Sequence, residues 1–546
     1  MSYLFRGILT VLSIGVLGWT ERSNAQPPES TSDPIATLQQ QSVQSNQVTW
    51  GHWGPNSEKY SSWKTHSNRL IPAYIFGGNA SQVSGANSVY RNSDRIKELY
   101  GFEPTQTLNP TADYFDQTDI YRLQKWAVEA GKKRIVLFVF DGMDWQTTHA
   151  AAIFKAGKVT YESGRGSGLG FQDYRGVVTD FGYFVTSPLN EGTTINVDDQ
   201  RVTKVGGNIP GGFDVARCGE FPWSPFPDAQ YPIAANQDVK HAYADSASSA
   251  TSMTCGIKTY NDAINVDVSG REVLPIARTL QEQGFAVGVV SSVPISHATP
   301  AAAYSNNIHR DDYQDLTRDQ LGVASIFHSG GLPGVDVLLG GGWGETKDKD
   351  GAQGKNFVPG NRYVTDADLE KIDQRNGGKY HVVQRTAGAN GKSQLRHAAQ
   401  LAALSKQRLF GYFGVKGGHL PFRTANGEFQ PVDSFGTAAT DKAEKYSSAD
   451  IDENPELVDM TLAAAEVLQA KSDRWWLMVE AGDVDWANHA NNIDNSIGAV
   501  ISGDNAFLGL AKWIENHGGW HDTYVIVTAD HGHYLIIDRP EMLTGK

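Results

Sequence analysis

Arg134 to Met143 read RIVLFVFDGM. Ile135 to Phe140 form an unbroken, partly β-branched apolar run, as expected of a strand buried on both faces in a parallel sheet. A carboxylate, Asp141, stands directly after it. The same texture recurs three times. Phe285 to Ser291 (FAVGVVS) leads into Val293-Pro294, Trp475 to Val479 (WWLMV) into Glu480, and Tyr524 to Thr528 (YVIVT) into Ala529-Asp530-His531. Helix-patterned stretches alternate with these strands: Thr147 to Ala156, Val273 to Gln283, Leu457 to Ala470 and Ala506 to His517. The alternation predicts an α/β fold, a mostly parallel central sheet with helices on both faces. Ligands in such sheets bind beyond the carboxyl ends of the strands, where Asp141, Glu480 and Asp530 fall.

The chain has 546 residues, 40% hydrophobic and 20% charged, which excludes a disordered polymer and a bundle of membrane spans. A net charge of −14 argues against a general nucleic-acid-binding role, which needs a basic stripe. It leaves phosphate ligands open, because bound cations reverse the sign of a pocket. The two cysteines, Cys218 and Cys255, are too few for a disulfide scaffold or a cysteine-rich zinc module. They pair in an oxidising compartment or stay as buried thiols, and the sequence leaves both open.

Gly7 to Trp19 is an apolar run of 13 residues, short of the roughly 20 that span a bilayer, and Ser23-Asn24-Ala25 follows. Residues 1–25 therefore read as a secretory signal peptide, the alternative being an uncleaved anchor. The mature protein is expected to be periplasmic or secreted, with no membrane span. Residues 26–48 read as a flexible leader, and 49–130, rich in aromatics such as Trp50, Trp53 and Trp63, as an ordered N-terminal extension without chemistry of its own. Residues 131–546 are the expected catalytic domain, with Gly-rich insertions at about 160–235 and 311–395 folded over the site.

The chemistry-bearing groups are Asp141, Asp245-Ser246, His297, Thr299, Arg310, Glu480, Asp485, His489, Asp530, His531 and His533. Singly, each has a plain structural reading: an aspartate at a strand end often caps a helix, and an isolated histidine is more often a core or surface residue. Together they form a pattern. Asp485 and His489 are four apart, so on a helix they share a face and can grip one cation. Mixed Asp/His sites suit zinc, and all-oxygen sites suit magnesium.

Five segments carry a resemblance: VFDGM (139–143), HAYADSASSATSMTCGIKTYNDAINVD (241–267), SHATPAAAYSNNIHR (296–310), VEAGDVDWANH (479–489) and TADHGH (528–533). In these motifs, in their order and in their spacing the chain resembles the alkaline phosphatase family, over about 134–310 and 455–535. The resemblance implies that family's α/β fold and hydrolysis of phosphate monoesters, with two zinc ions and one magnesium. It implies Ser246 as a nucleophile that forms a phosphoserine, and Arg310, oriented by Asp245, as the phosphate fork. Asp141, Asp530 and His531 would hold one zinc, Asp485 and His489 the second, and Asp141, Thr299 and Glu480 the magnesium. His297 and Trp486 occupy positions that vary in the family, and His533 is expected to orient a ligand rather than bind. The resemblance also implies a homodimer as one option.

The match departs in one place. The family's second zinc has a further histidine downstream of the position of His531, and here the chain stops at Lys546. Three explanations stand: a terminal segment is missing, another residue substitutes, with His419 and His533 as candidates, or the site is open. Two other functions compete. A phosphodiesterase or sulfatase of the same superfamily is one, although Ser246-Ala247-Ser248 lacks the C/S-x-P-x-R context of a sulfatase. A non-catalytic phosphate- or metal-binding relative is the other, although Ser246, Arg310 and Asp530 are all present.

Overall fold

The computed structural model describes residues 33–208, 211–233, 243–434 and 442–545. The expected signal peptide at 1–25 lies outside the described residues. No helix among the described residues is long and apolar enough to cross a membrane.

The core is a ten-stranded sheet. Its strands in chain order are β1 (Ile71–Phe76), β2 (Phe115–Asp116), β3 (Arg134–Phe140), β4 (Thr179–Val185), β5 (Ala286–Pro294), β6 (Val337–Gly341), β7 (Tyr380–Gln384), β8 (Arg408–Tyr412), β9 (Trp475–Ala481) and β10 (Thr523–Thr528). Across the sheet the order is β7-β8-β6-β5-β9-β3-β10-β1-β4-β2. From β7 to β10 every neighbouring pair is parallel. β1 then runs antiparallel to β10, with Ala73 opposite Thr528.

The four apolar runs read from the sequence are the central strands β3, β5, β9 and β10, each buried along its length. Neighbouring residues of a strand point to opposite faces, and β9 shows what covers each. Trp475 meets Trp513 of the helix Ile493–Asn516 with ring centroids 6.0 Å apart. Trp476 donates its indole N–H to Gln124 of the helix Thr118–Glu129 at 2.9 Å. Helices thus cover both faces, as an isolated parallel sheet requires.

Several readings of the chain's organisation change. Pro34–Ser45, within the expected flexible leader, form a helix, and the stretch 49–130 is not a separate extension, because β1 and β2 belong to the central sheet. The insertion expected at about 160–235 contributes β4, and that at 311–395 contributes β6 and β7. Cys218 and Cys255 are both buried free thiols. The Cys218 thiol faces the Asn68 carbonyl at 3.4 Å and the Cys255 thiol the Asn265 side chain at 3.1 Å.

One buried ion pair ties the start of β1 to the rest. Arg69 donates to the Asp144 carboxylate at 2.6 Å and to the carbonyls of His533 and Leu535, each at 2.9 Å. Asp144 in turn caps the helix Trp145–Ala156 by accepting from the Thr147 N–H. Removing one partner of a buried pair strands the other charge. Arg69→Met is therefore expected to cost about 3–5 kcal/mol in urea unfolding, and adding Asp144→Asn, which keeps the cap, should recover part of it. Additive losses in that double-mutant cycle would show that the pair is not coupled.

Candidate metal centre

The carboxyl ends of β3, β9 and β10 meet at one point. Asp141 follows β3, Glu480 lies within β9, and Asp530 and His531 follow β10. Asp485 and His489 sit on the short helix Asp483–His489 just beyond β9. Gly142, with φ +72°, makes the turn after Asp141; a Cβ there would come 2.8 Å from the His533 ring. Ser246 starts the helix Ser246–Cys255, capped by Asp245, whose carboxylate accepts from the Ser248 N–H at 2.9 Å.

Ligand atoms converge in three groups: His66, Asp485, His489 and His533; Asp141, Asp485 and His531; and Asp141, His297 and Glu480. His531 Nε2 lies 3.3 Å from Asp141 Oδ1 and 3.5 Å from Asp530 Oδ2. The same nitrogen is 3.1 Å from the Ser246 hydroxyl. The Thr299 hydroxyl is 3.4 Å from Asp141 Oδ2. Glu480 accepts from Ser291 through one oxygen.

His66 was not singled out by its sequence context, which carries none of the family motifs. Its position follows from topology. Because β1 is antiparallel to β10, the segment preceding β1 lies at the carboxyl edge of the parallel strands. There His66–Ser67 pairs with Gly532–His533, His66 opposite His533. The His66 ring stacks on His531, centroids 3.7 Å apart. Of the two substitutes considered from the sequence, His533 joins the group, its Nε2 2.8 Å from Asp485. His419 does not: its Nε2 pairs with Glu444 at 2.9 Å and its Nδ1 meets the Leu420 carbonyl at 2.6 Å.

Two features fit this centre to cations. First, His66 Nδ1 meets the Ala244 carbonyl at 3.1 Å and His489 Nδ1 meets the Lys64 carbonyl at 2.8 Å. A carbonyl only accepts, so each Nδ1 carries a proton, and Nε2 is the nitrogen left to face the centre. Those two Nε2 atoms lie 3.0 Å apart, an arrangement that a shared cation stabilises. Second, Asp141 Oδ1, Glu480 Oε1 and Asp530 Oδ2 are buried oxygens without a hydrogen bond. Buried polar atoms are rarely left so, and ligation satisfies them.

Electrostatics point the same way. Burial, reinforced by the charges of Asp530, Asp485 and Glu480, raises the Asp141 carboxyl well above the usual carboxylate range. Burial pushes Glu480 up to about 8 and Asp530 up to about 6. Burial also acts to raise Asp485, but His489 and the hydrogen bonds from His533 and His66 outweigh it and hold that carboxyl well below its usual range. Burial lowers His533 and His297, each to about 3, which keeps both imidazoles neutral.

Ser246, His66, Arg310 and Asp485 line a cavity of about 860 Å³. Arg310 is held by Asp245 at 2.9 Å and lies 3.4 Å from His297 Nε2. A hydroxyl, a guanidinium fork and a cation ligand set around one cavity can hold a tetrahedral oxyanion. Since Glu480 and Asp141 hold protons at pH 7 that a cation must displace, zinc uptake at pH 7 should release about one to two protons per chain. Affinity should rise as pH goes from 6 to 8. Calorimetry in buffers of different ionisation heat measures this, and a pH-independent affinity would refute it.

A family model described as alkaline phosphatase matches residues 226–542, more than half of the chain. The alkaline phosphatase of Escherichia coli is 28% identical over 54% of this chain and 59% of its own length. Alkaline phosphatase H of Pseudomonas aeruginosa is 30% identical over 54% of this chain and 59% of its own. The crystal structure of Thermus thermophilus alkaline phosphatase aligns with a TM-score of 0.43 at 20% identity, covering 74% of this chain and 60% of that one. The chain thus spans about half to three-fifths of the length of the curated relatives it matches. Both His66 and Asp141 precede the matched residues, yet they share one centre with Asp485, His489 and His531, which lie within them. The chain belongs to the alkaline phosphatase family.

Proposed function

We propose that this protein is a metal-dependent phosphomonoesterase that works through a phosphoserine on Ser246 and, from its 1–25 leader, is exported to the periplasm or beyond the cell. The observation that carries the reading is the Ser246 hydroxyl, 3.1 Å from His531 Nε2, on the cavity wall that also presents Arg310. Asp141, Asp530 and His531 would hold one zinc. Asp485, His489, His66 and His533 would hold the second. Asp141, Thr299 and Glu480, with His297 beside them, would hold magnesium. Bound there, such cations supply Lewis acidity that favours the Ser246 alkoxide and offsets charge on the attacking and leaving oxygens.

The chain's own residues do the positioning, which phosphoryl transfer needs most. Arg310 takes two phosphate oxygens in its planar fork, and Asp245 fixes that fork. The first backbone N–H groups of the helix Ser246–Cys255 face the same anion. Ser246 Oγ attacks phosphorus in line. The Oγ–P bond forms while the bond to the ester oxygen breaks, and the alcohol leaves with a proton. Water then attacks phosphorus, the Oγ–P bond breaks, and Ser246 recovers a proton as inorganic phosphate departs.

Arg310 and the ligand set of the magnesium-like site favour a dianionic monoester over a diester. The purified protein should therefore hydrolyse p-nitrophenyl phosphate faster than bis(p-nitrophenyl) phosphate, with an alkaline optimum. Ser246→Ala should abolish turnover. Arg310→Ala should lower kcat/KM by about 10²- to 10³-fold, the cost of one oriented donor to developing charge. Preference for the diester, or near-normal turnover by Ser246→Ala, would overturn the assignment. Metal analysis should find about three ions per chain, with one fewer in His66→Ala and no change in His419→Ala.

A further inference from the structure

The cavity is far larger than a phosphate. At about 860 Å³ it falls in the range that holds drug-sized ligands, so most of it faces the alcohol half of the ester. That half meets a continuous aromatic wall. Beside the fork, His297 stands edge-on to Trp486, centroids 5.9 Å apart. Trp486 is edge-on to His419 at 5.3 Å and to Phe422 at 5.9 Å. Phe422 stacks on His419 at 4.0 Å, and Tyr446 closes the row 6.4 Å from His419. Trp486, Phe422 and Tyr446 are half-buried and line the cavity.

The wall is fixed in place by hydrogen bonds. Tyr446 donates its hydroxyl to Glu444 at 2.9 Å and accepts from the Phe422 N–H at 3.1 Å. Glu444 also pairs with His419 Nε2. Rings held in this way bind a planar partner with little ordering cost. The rings begin one side chain beyond the fork, since His297 separates Arg310 from Trp486. The wall therefore lies on the same cavity beyond the group beside the fork, where the distal part of an ester's alcohol would fall.

We infer that the site selects phosphate monoesters whose alcohol carries a planar aromatic group at about the distance of a nucleobase, stacked on the wall of Trp486 and Phe422; this rests on the phosphomonoesterase reading. The test compares adenosine 5′-monophosphate with ribose 5-phosphate, which break the same bond to a sugar 5′-oxygen and differ in the base. In the metal-loaded protein kcat/KM should favour the nucleotide by about tenfold or more, mainly through KM, as base stacking on an aromatic side chain predicts. In Phe422→Ala and in Trp486→Ala the ratio should fall to within about twofold of unity, and Phe422→Tyr should keep most of it. Both substrates are read on one preparation, so loss of folded protein cancels from the ratio. A wild-type ratio near one, or a ratio unmoved in both alanine variants, overturns the inference. If neither substrate turns over, the phosphomonoesterase reading is what fails. The relative affinity of the two ligands by calorimetry on the same protein then decides whether the wall binds aromatic groups.

Discussion

The constraint on which this structure depends is the burial of several carboxylates at one point. Asp141, Glu480 and Asp530 are fully buried, and Asp485 is 4% exposed. Charges of one sign this close, away from water, either bind protons, find cationic partners or ligate metal. Arg310 is engaged with Asp245, Arg69 with Asp144, and Lys258 with Asp116. Three of the buried oxygens in the centre carry no hydrogen bond. At neutral pH such a cluster holds protons or cations.

The centre is not electrostatically uniform, and its differences match the donor types. Asp485, facing the imidazoles of His66, His489, His531 and His533, is held well below the usual carboxylate range, largely by His489, His533 and His66. Glu480 and Asp141, facing other carboxylates, tend to hold protons. A site built from one anionic oxygen and imidazole nitrogens suits a borderline ion such as zinc, and one built mainly from oxygens suits a harder ion. His297 departs from that division, since it places a neutral nitrogen beside Asp141 and Glu480. It also stands between Arg310 and Trp486.

What could be read from the sequence was what is local. β3, β5, β9 and β10 declare themselves because each is a long apolar run buried on both faces. Asp485 and His489 declare themselves by helical spacing. The rest depends on distant pairing. β1 reads IPAYIF, with a proline and no polar alternation, and nothing local says that it pairs with a strand some 450 residues away. β6 and β7 are five-residue strands inside Gly-rich sequence. His66 has an unremarkable context, Lys64-Thr65-His66-Ser67. Its position comes from the reversed direction of β1, a property of the whole sheet.

That reversal carries a requirement. A ligand delivered by a segment remote in sequence has no short loop to hold it, so it must be fixed by contacts of its own. His66 has three: backbone pairing with His533, the Arg69 anchor three residues later, and the Nδ1 contact with the Ala244 carbonyl. The last is the most informative. Ala244 is two residues before Ser246, so the carbonyl that orients His66 belongs to the turn that presents the serine. His531 closes the circuit, stacked on His66 and facing the Ser246 hydroxyl. Displacing the N-terminal segment would therefore disturb the ligand set and the serine together. In this chain the N-terminal residues are as much a part of the centre as the strands that the family model spans.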